Sequence, residues 1–389
     1  MLPRLVSVFA TIAVVVFGAS AAIAQNFATQ ATAAIVIDQT TGTLLMEKNA
    51  DEALPPASMS KLMTLYMAFE AVSDGRLRLD EELPVSQHAM NYGGSTMFLK
   101  RGERVKVEDL IRGIIVLSGN DACAVIAEAL STDGTEAGFG RMMTARAREL
   151  GMMNSTFTNS NGWPQAGHRM SMRDLSILAD RLITDYPTYY PLFSQKEFMF
   201  DEKESKNRLN RNPLLGLGIG ADGLKTGHTN EAGYGLVGSA KQGNRRIIFV
   251  ITGLDSAAAR AEESEKIVNW AFRQFVHRDI TEAGTKIAEA DVWMGDVDRV
   301  GLTTVEDLSL LVPVLKQDDI TAEVVYDGPI EAPIEEGAQL AELVITFEGL
   351  PETRLPLVAD RSVAKGGFGP TMRRAANVLL GKLGAEGSL

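Results

Sequence analysis

Apolar positions in the first two thirds of the chain switch between the spacing of strands and the spacing of helices. Two short apolar runs, 33–38 and 43–47, flank the turn residues 39–42 and predict a β-hairpin. Apolar residues at helical spacing then predict helices at 59–72, 107–115, 121–129, 138–150 and 263–275. This part of the chain therefore mixes strands and helices.

A second group of strands is expected late in the same region. The segment 246–252, which is apolar throughout 247–251, predicts a buried strand. It follows a segment, 228–240, that leads into the turn residues 241–244, so the two form a second hairpin. The predicted fold is of the α/β (α+β) class, with an antiparallel sheet built from both ends of the region and covered by helices.

Beyond residue 277 the pattern changes to short apolar runs separated by Gly and Pro turns. Runs at 308–315, 321–326 and 340–347 predict a small all-β domain. No catalytic cluster occurs there, and we expect it to act as a spacer. The predicted domains are 25–277 and 278–364.

Both termini carry patterns of their own. Arg4, the apolar run 5–17 and the small residues around Ala24 predict a signal peptide over 1–24 and an exported, periplasmic protein. At the other end, 365–389 predicts a basic amphipathic helix that attaches peripherally to the outer face of the inner membrane. The alternative for that helix is packing on the protein's own body.

Composition excludes some functions. Asp and Glu number 50 against 38 Lys and Arg, a formal net charge of −12, which argues against a nucleic-acid partner. None of the four histidines has metal-ligand spacing, so we expect no metal site and no cofactor. Cys123 is the single cysteine and is expected to be a small buried hydrophobe.

Three short motifs carry the candidate chemistry, and the first is Ser58-Met59-Ser60-Lys61. Residues three apart share a helix face, so Lys61 can reach the Ser58 hydroxyl and take its proton if the pKa of the amine is lowered. Lys225 is a candidate for the second cation that lowers it. A second S-x-x-K string, 362–365, is followed by glycines and is not expected to form a helix.

The other two motifs supply polar groups for substrate. Ser118-Gly119-Asn120 lies between two apolar helices, where a hydroxyl and an amide can relay a proton and hold a peptide carbonyl. Lys225-Thr226-Gly227 opens the late strands: Thr226 can bind a carboxylate, and Gly227 leaves room for a substrate backbone. Taken singly, each motif is also compatible with an ordinary cap or turn.

In their order and surroundings these strings resemble the serine D-alanyl-D-alanine carboxypeptidases, the low-molecular-mass penicillin-binding proteins. The resemblance extends to the longer strings 118–123, 209–212 and 225–229 and to Arg260 ahead of Glu263. It implies a β-lactamase/transpeptidase-like fold and removal of the last D-alanine from a cell-wall stem peptide through a serine acyl-enzyme. It also implies that β-lactams are covalent inhibitors.

The resemblance further implies roles residue by residue. Ser58 is the nucleophile, Lys61 its proton acceptor, Ser118 a proton shuttle, Asn120 a donor to the substrate amide, and Lys225 tunes the charge of the site. The oxyanion hole is formed by the backbone amides of Ser58 and His228. Thr226 binds the terminal carboxylate with help from Arg260, while Arg211 orders the wall of the site.

Three alternatives remain open from the sequence. A β-lactamase shares the serine chemistry but deacylates fast through a loop carboxylate, and no clear Glu-x-x-x-Asn string lies between the second and third motifs. A glutaminase-like hydrolase shares the arrangement around the nucleophile, but its substrate is soluble and does not explain the predicted export. A non-catalytic protein that binds the cell wall or maintains cell shape is the alternative from another class.

Overall fold

The computed structural model describes residues 27–200, 207–314, 321–346 and 352–367. The predicted signal peptide over 1–24 and most of the predicted terminal helix, from residue 368 onward, lie outside these residues. Within the described ranges, no helix combines the length and apolar content needed to cross a bilayer.

The first part of the chain contains strands and helices in alternation. Its strands are β1 (Ala33–Asp38), β2 (Thr43–Lys48), β3 (Glu82–Pro84), β4 (Arg104–Lys106), β5 (Ala221–Thr229), β6 (Gly233–Gln242) and β7 (Arg245–Leu254). Its α-helices are α1 (Lys61–Ser73), α2 (Gln87–Met90), α3 (Val107–Arg112), α4 (Asn120–Leu130), α5 (Glu136–Glu149), α6 (Met172–Asp185) and α7 (Ala257–Gln274). Short 3-10 turns at Ala57–Ser60 and Tyr190–Ser194 and a π turn at Gly113–Leu117 complete it.

Five antiparallel strands form the central sheet in the order β2-β1-β7-β6-β5. Alternate residues of β7 face opposite cores: Val250 packs with α1, α4 and α6, whereas Phe249 packs with α7. Because both faces are covered, β7 is apolar at every position from Ile247 to Ile251, which explains the continuous run seen in the sequence. The predicted sheet covered by helices is confirmed.

Several elements differ from the sequence prediction, among them the short elements β3, β4 and α2, which were not predicted. The segment 228–240, expected as one run, contains a turn between β5 and β6, where the backbone N–H of Ala232 donates to Thr229 Oγ1 at 3.0 Å and Gly233 has φ +67°. Helix α6 was not predicted, although Ser171 caps it by accepting from the backbone N–H of Asp174 at 3.1 Å. The remaining predicted helices are present with shifted ends.

The second part of the chain is all β. It contains β8 (Phe275–Thr281), β9 (Lys286–Trp293), β10 (Arg299–Thr304), β11 (Leu308–Pro313), β12 (Thr321–Val325), β13 (Ile330–Glu331), β14 (Gln339–Thr346) and β15 (Thr353–Ala359). Six of them form one sheet in the order β12-β14-β15-β10-β9-β13, while β8 pairs with β11. The predicted all-β region is confirmed. Strand β8 spans the expected boundary at 277, so the exact domain limits stay a prediction.

The second S-x-x-K string is extended in the structure. Val363 bridges to Ile334 and Lys365 bridges to Gly295, both antiparallel. Successive side chains of an extended segment point to opposite sides, so Ser362 and Lys365 do not share a helix face as Ser58 and Lys61 do. Its exclusion as a catalytic motif is therefore supported.

Candidate active site

The nucleophile motif occupies the 3-10 turn that leads into α1. Lys61 is fully buried, and its Nζ lies 2.8 Å from Ser58 Oγ and donates to the backbone carbonyl of Asn161 at 2.6 Å. Burial lowers the pKa of Lys61 to about 8. About one amine in ten is therefore neutral at pH 7, which makes Lys61 a competent proton acceptor.

Two glycines hold this turn in place. Gly162 has φ +80°, and a Cβ there would lie 1.8 Å from the carbonyl oxygen of Ala57. A Cβ on Gly227 would lie 3.0 Å from Pro56 O and from Met59 Cγ. Gly227 is predicted to leave room for a substrate backbone, and in the structure its missing side chain also allows β5 to approach the turn that carries Ser58.

The second motif forms a sharp corner after the π turn. Ser118 has φ 62° and ψ 37°, in the left-handed region, and its Oγ is buried with no hydrogen-bond partner among the described residues. A buried hydroxyl without a hydrogen-bond partner lowers the stability of the fold, unless a bound ligand supplies the missing hydrogen bond. Ser118 is thus free to exchange a proton with a bound substrate.

Asn120 and Asp121 fix this corner to the loop that precedes it. Asn120 Nδ2 donates to Gly93 O at 2.9 Å, and its backbone N–H donates to Ser95 O at 2.7 Å. The buried Asp121 carboxylate accepts from the backbone N–H groups of Met97 and Leu99 at 2.9–3.1 Å. The asparagine side chain is therefore held at a defined position beside Ser118.

The third motif lies on β5, at the edge of the sheet. Lys225 is buried, and its Nζ donates to the carbonyl of Thr226 at 3.3 Å. Burial, together with the Lys61 and Arg211 cations, lowers the pKa of Lys225 well below its usual value. Arg211 also lowers the pKa of the Lys61 amine. Lys61 and Lys225 interact as neighbouring cations, and the predicted tuning of Lys61 by Lys225 stays a prediction.

These motifs converge on one cleft of about 410 Å³. It is lined by Ser58, Ser95, Ser118, Arg211, Thr226, Gly227, His228, Tyr234, Ala257 and Arg260. Lys61, Asn120 and Lys225 lie buried next to lining residues. No carboxylate lines the cleft among the described residues, and two guanidinium groups do, so the cleft favours an anionic ligand.

Arginines and aromatic rings build its walls. Arg211 donates to Ser95 Oγ at 2.6 Å and to the carbonyl of Leu117, the residue before Ser118, at 3.2 Å. Arg260 is 8% exposed and lies 5.8 Å from the centre of the Tyr234 ring, which stacks on His228 at 3.8 Å. Arg211 thus orders the wall, and Arg260 presents a partly unsatisfied cation.

Sequence reasoning missed the residues behind Lys61. Glu136, Ser160 and Asn161 form a buried hydrogen-bonded group that ends at the carbonyl bonded to Lys61. An acidic residue in the first turn of a helix and a polar loop are both common, so neither carries a distinctive signal. Cys123 is buried as expected, and burial raises the pKa of its thiol to about 12.

Comparison with known proteins gives consistent matches over most of the chain. A family described as D-alanyl-D-alanine carboxypeptidase matches residues 19–256, and one described as penicillin-binding protein 5, C-terminal domain, matches residues 275–365. D-alanyl-D-alanine carboxypeptidase DacF of Bacillus subtilis is 33% identical over 90% of both chains. DacA of Escherichia coli is 34% identical over 86% of this chain and 84% of that protein.

Solved structures agree with these relatives. Penicillin binding protein 5 from Haemophilus influenzae superposes with a TM-score of 0.74 at 32% identity, covering 87% of this chain and 99% of that one. DacD from Francisella tularensis gives a TM-score of 0.75 at 28% identity, covering 87% and 95%. The resemblance inferred from the motifs is confirmed: the chain belongs to the D-alanyl-D-alanine carboxypeptidase family of penicillin-binding serine hydrolases.

Proposed function

We propose that Ser58 removes the terminal D-alanine from peptidoglycan pentapeptide stems, trimming the cell wall and limiting its cross-linking. The observation that carries this assignment is the buried Lys61 amine, with its lowered pKa, 2.8 Å from Ser58 Oγ. The cationic cleft above it suits a substrate that ends in a carboxylate.

Acylation follows from this geometry. Neutral Lys61 takes the proton of Ser58 as Oγ attacks the carbonyl carbon between the two D-alanines. The oxyanion is stabilised by the backbone N–H groups of Ser58 and His228; removing one such donor typically costs about 3–4 kcal/mol. Ser118 relays the proton from the Lys61 ammonium to the departing amine and the last D-alanine leaves. Water then hydrolyses the ester and restores the Ser58 hydroxyl.

The polar walls hold the substrate during these steps. Asn120 donates to the stem-peptide amide from its fixed place beside Ser118. Thr226 and Arg260 bind the terminal carboxylate, and Lys225 tunes the charge around it. The edge strand β5 offers backbone groups along which an extended peptide can lie.

The direct test uses the full chain with a soluble D-alanyl-D-alanine pentapeptide and with penicillin. We expect free D-alanine by chromatography and a long-lived penicillin adduct on Ser58 by mass spectrometry. The absence of a carboxylate among the described cleft residues supports a slow-deacylating adduct. Steady penicillin turnover would favour a β-lactamase, and binding without D-alanine release would favour a non-catalytic wall protein.

Replacing Arg260 with leucine is expected to lower kcat/KM for the pentapeptide by about 10- to 100-fold, mainly through KM, because a charged hydrogen bond to the carboxylate is lost. A pentapeptide with an amidated C-terminus reports on the same contact: it should lose little further activity in the variant. Arg273→Leu, at the exposed end of the same helix, is the matched control. Equal losses on both peptides would remove Arg260 from carboxylate binding.

We further propose that the mature protein is exported and attaches peripherally to the outer face of the inner membrane through 365–389. In this arrangement 25–277 is the catalytic domain, and 278–364 is a spacer that holds the catalytic domain away from the membrane surface. The predicted helix contains Arg373 and Arg374, whose positive charges favour anionic lipid.

Deleting residues 368–389 tests the attachment. We expect unchanged D-alanine release from a soluble peptide but loss of cosedimentation with vesicles containing anionic lipid. The deletion removes the apolar residues of the predicted amphipathic helix together with its basic residues. A variant with Arg373→Glu and Arg374→Glu should show an intermediate loss. Cosedimentation of the deleted protein at the full-length level would contradict the proposed anchor.

A further inference from the structure

The Lys61 amine is oriented by a segment far away in the sequence. Its Nζ donates to the carbonyl of Asn161 at 2.6 Å, and one turn later on α1 Thr64 Oγ1 donates to the carbonyl of Ser160 at 2.5 Å. Two successive carbonyls therefore accept from two side chains on one face of the helix. The position of 160–161 decides where the amine points.

Glu136, in the first turn of α5, holds that segment. Its Oε1 accepts from the backbone N–H of Ser160 at 2.9 Å, from the Ser160 hydroxyl in a short hydrogen bond, and from Asn161 Nδ2 at 3.3 Å. Glu136 is only 6% exposed. A buried carboxylate that accepts this many hydrogen bonds holds the backbone of residues 160–161 in one position.

The second carboxylate oxygen faces the opposite way, toward the surface. Glu136 Oε2 accepts from Tyr92 OH at 2.6 Å and is paired with His88 Nε2 at 2.7 Å. Burial opposes ionisation, but hydrogen bonds from Ser160, Tyr92 and His88 outweigh it and lower the pKa of Glu136. Glu136 is thus a carboxylate at neutral pH, one that the acylation chemistry leaves unused.

We propose that Glu136 is a positioning residue for acylation: by anchoring Ser160 and Asn161 it orients the Lys61 amine toward the Ser58 hydroxyl. Glu136 acts through these neighbours, because its carboxylate hydrogen-bonds to them and to His88 and Tyr92. The proposal rests on the function proposed for Ser58 and Lys61. A misplacement of about 1 Å at a reacting group can cost about 100-fold in rate.

The charge of Glu136 has a second effect, on the pKa of Lys61, that can be measured separately from its effect on the position of the amine. Its negative charge raises the pKa of Lys61, against the lowering by burial and by Arg211. Other titratable groups that act on Lys61 or Glu136 are Cys123 and Asp121 of α4, Lys225 of β5, and His168, His88 and Tyr92. Burial sets the pKa of Cys123 to about 12 and of His168 to about 4, so both stay neutral between pH 6 and 10.

The test compares Glu136→Gln with Glu136→Ala, using the rate of penicillin acylation of the full chain against pH. Glutamine can accept from Ser160 and donate toward Tyr92, so it keeps the geometry and removes only the charge. In the glutamine variant we expect the acylation rate at its high-pH plateau to stay within about threefold of wild type. The midpoint of the curve of rate against pH reports the pKa of Lys61 and should lie about 0.5–1 pH unit lower, because a negative charge near the amine is lost. Alanine removes the anchor, and its plateau should fall about 10- to 100-fold.

Glu149→Gln, at the exposed end of the same helix, is the matched control and should leave plateau and midpoint unchanged. Circular dichroism reports whether the alanine variant folds; if it does not, Glu136→Asp, which keeps the charge on a shorter side chain, takes its place and should show the same fall in plateau. A wild-type plateau in the folded alanine or aspartate variant overturns the proposal, and so does a plateau in Glu136→Gln as low as theirs. If wild type itself is never acylated at Ser58, the proposed function fails instead.

Discussion

Replacing Ser58 with alanine is expected to lower kcat for D-alanine release by about 10⁴- to 10⁶-fold, the range seen when a serine nucleophile is removed. The hydroxyl that forms the acyl-enzyme is lost, and no other side chain can take its place at this position. Lys61 Nζ, 2.8 Å from the Ser58 oxygen, would lose its reaction partner while keeping its bond to Asn161. Penicillin labelling should disappear in parallel.

The measurement is D-alanine release together with the intact mass after penicillin exposure. Ser60→Ala is the matched control, because Ser60 is buried in the same turn and its hydroxyl has no partner among the described residues. Ser362→Ala tests the second S-x-x-K string. Both controls should stay within about threefold of wild type. Residual labelling of Ser58→Ala at the wild-type rate would assign the nucleophile elsewhere.

The local half of this site is predictable from sequence. Side chains three residues apart on one helical turn are neighbours, so the spacing of Ser58 and Lys61 determines their contact. Nothing in the spacing of the other two motifs brings Ser118 and Lys225 to the same cleft. That expectation depended on their order and on the family resemblance, which the comparisons confirm.

The supporting residues could not be predicted because their roles depend on contacts between distant parts of the chain. Gly162 resembles an ordinary loop glycine until the fold places it against Ala57. Glu136 reaches Ser160 across 24 positions, and Asn161 reaches Lys61 across 100. Sequence periodicity reports which face of an element is buried, and it contains no information about which polar groups meet across the core.

In the fold, too, features with a local sequence pattern were predicted and others were missed. The apolar run of β7 and the hairpin of β1 and β2 were predicted because burial and turn residues leave a local pattern. The turn between β5 and β6 was missed because Tyr234, Leu236 and Val237 extend the apolar pattern directly beyond it. The local pattern of apolar and turn residues therefore predicts that an element exists more reliably than it predicts where the element begins and ends.

Replacing Lys61 with arginine is expected to slow acylation by about 10²- to 10⁴-fold, the usual contribution of a general base. Arginine stays protonated in proteins and cannot accept the Ser58 proton, although it retains the positive charge. Lys365→Arg, in the extended S-x-x-K string, is the matched control and should acylate at the wild-type rate. The readout is the rate constant for penicillin acylation under excess ligand.

The pH dependence separates a base from a merely structural cation. Because burial lowers the pKa of Lys61 to about 8, the amine is increasingly protonated below that pH, and only its neutral fraction can take a proton. Wild-type acylation should therefore fall about tenfold per pH unit below 8 and level off above it. The arginine variant has no neutral amine at position 61, so its residual rate should lack the rise that deprotonation of Lys61 gives near pH 8. A Lys61→Arg protein with a wild-type profile would transfer the role of base to another group.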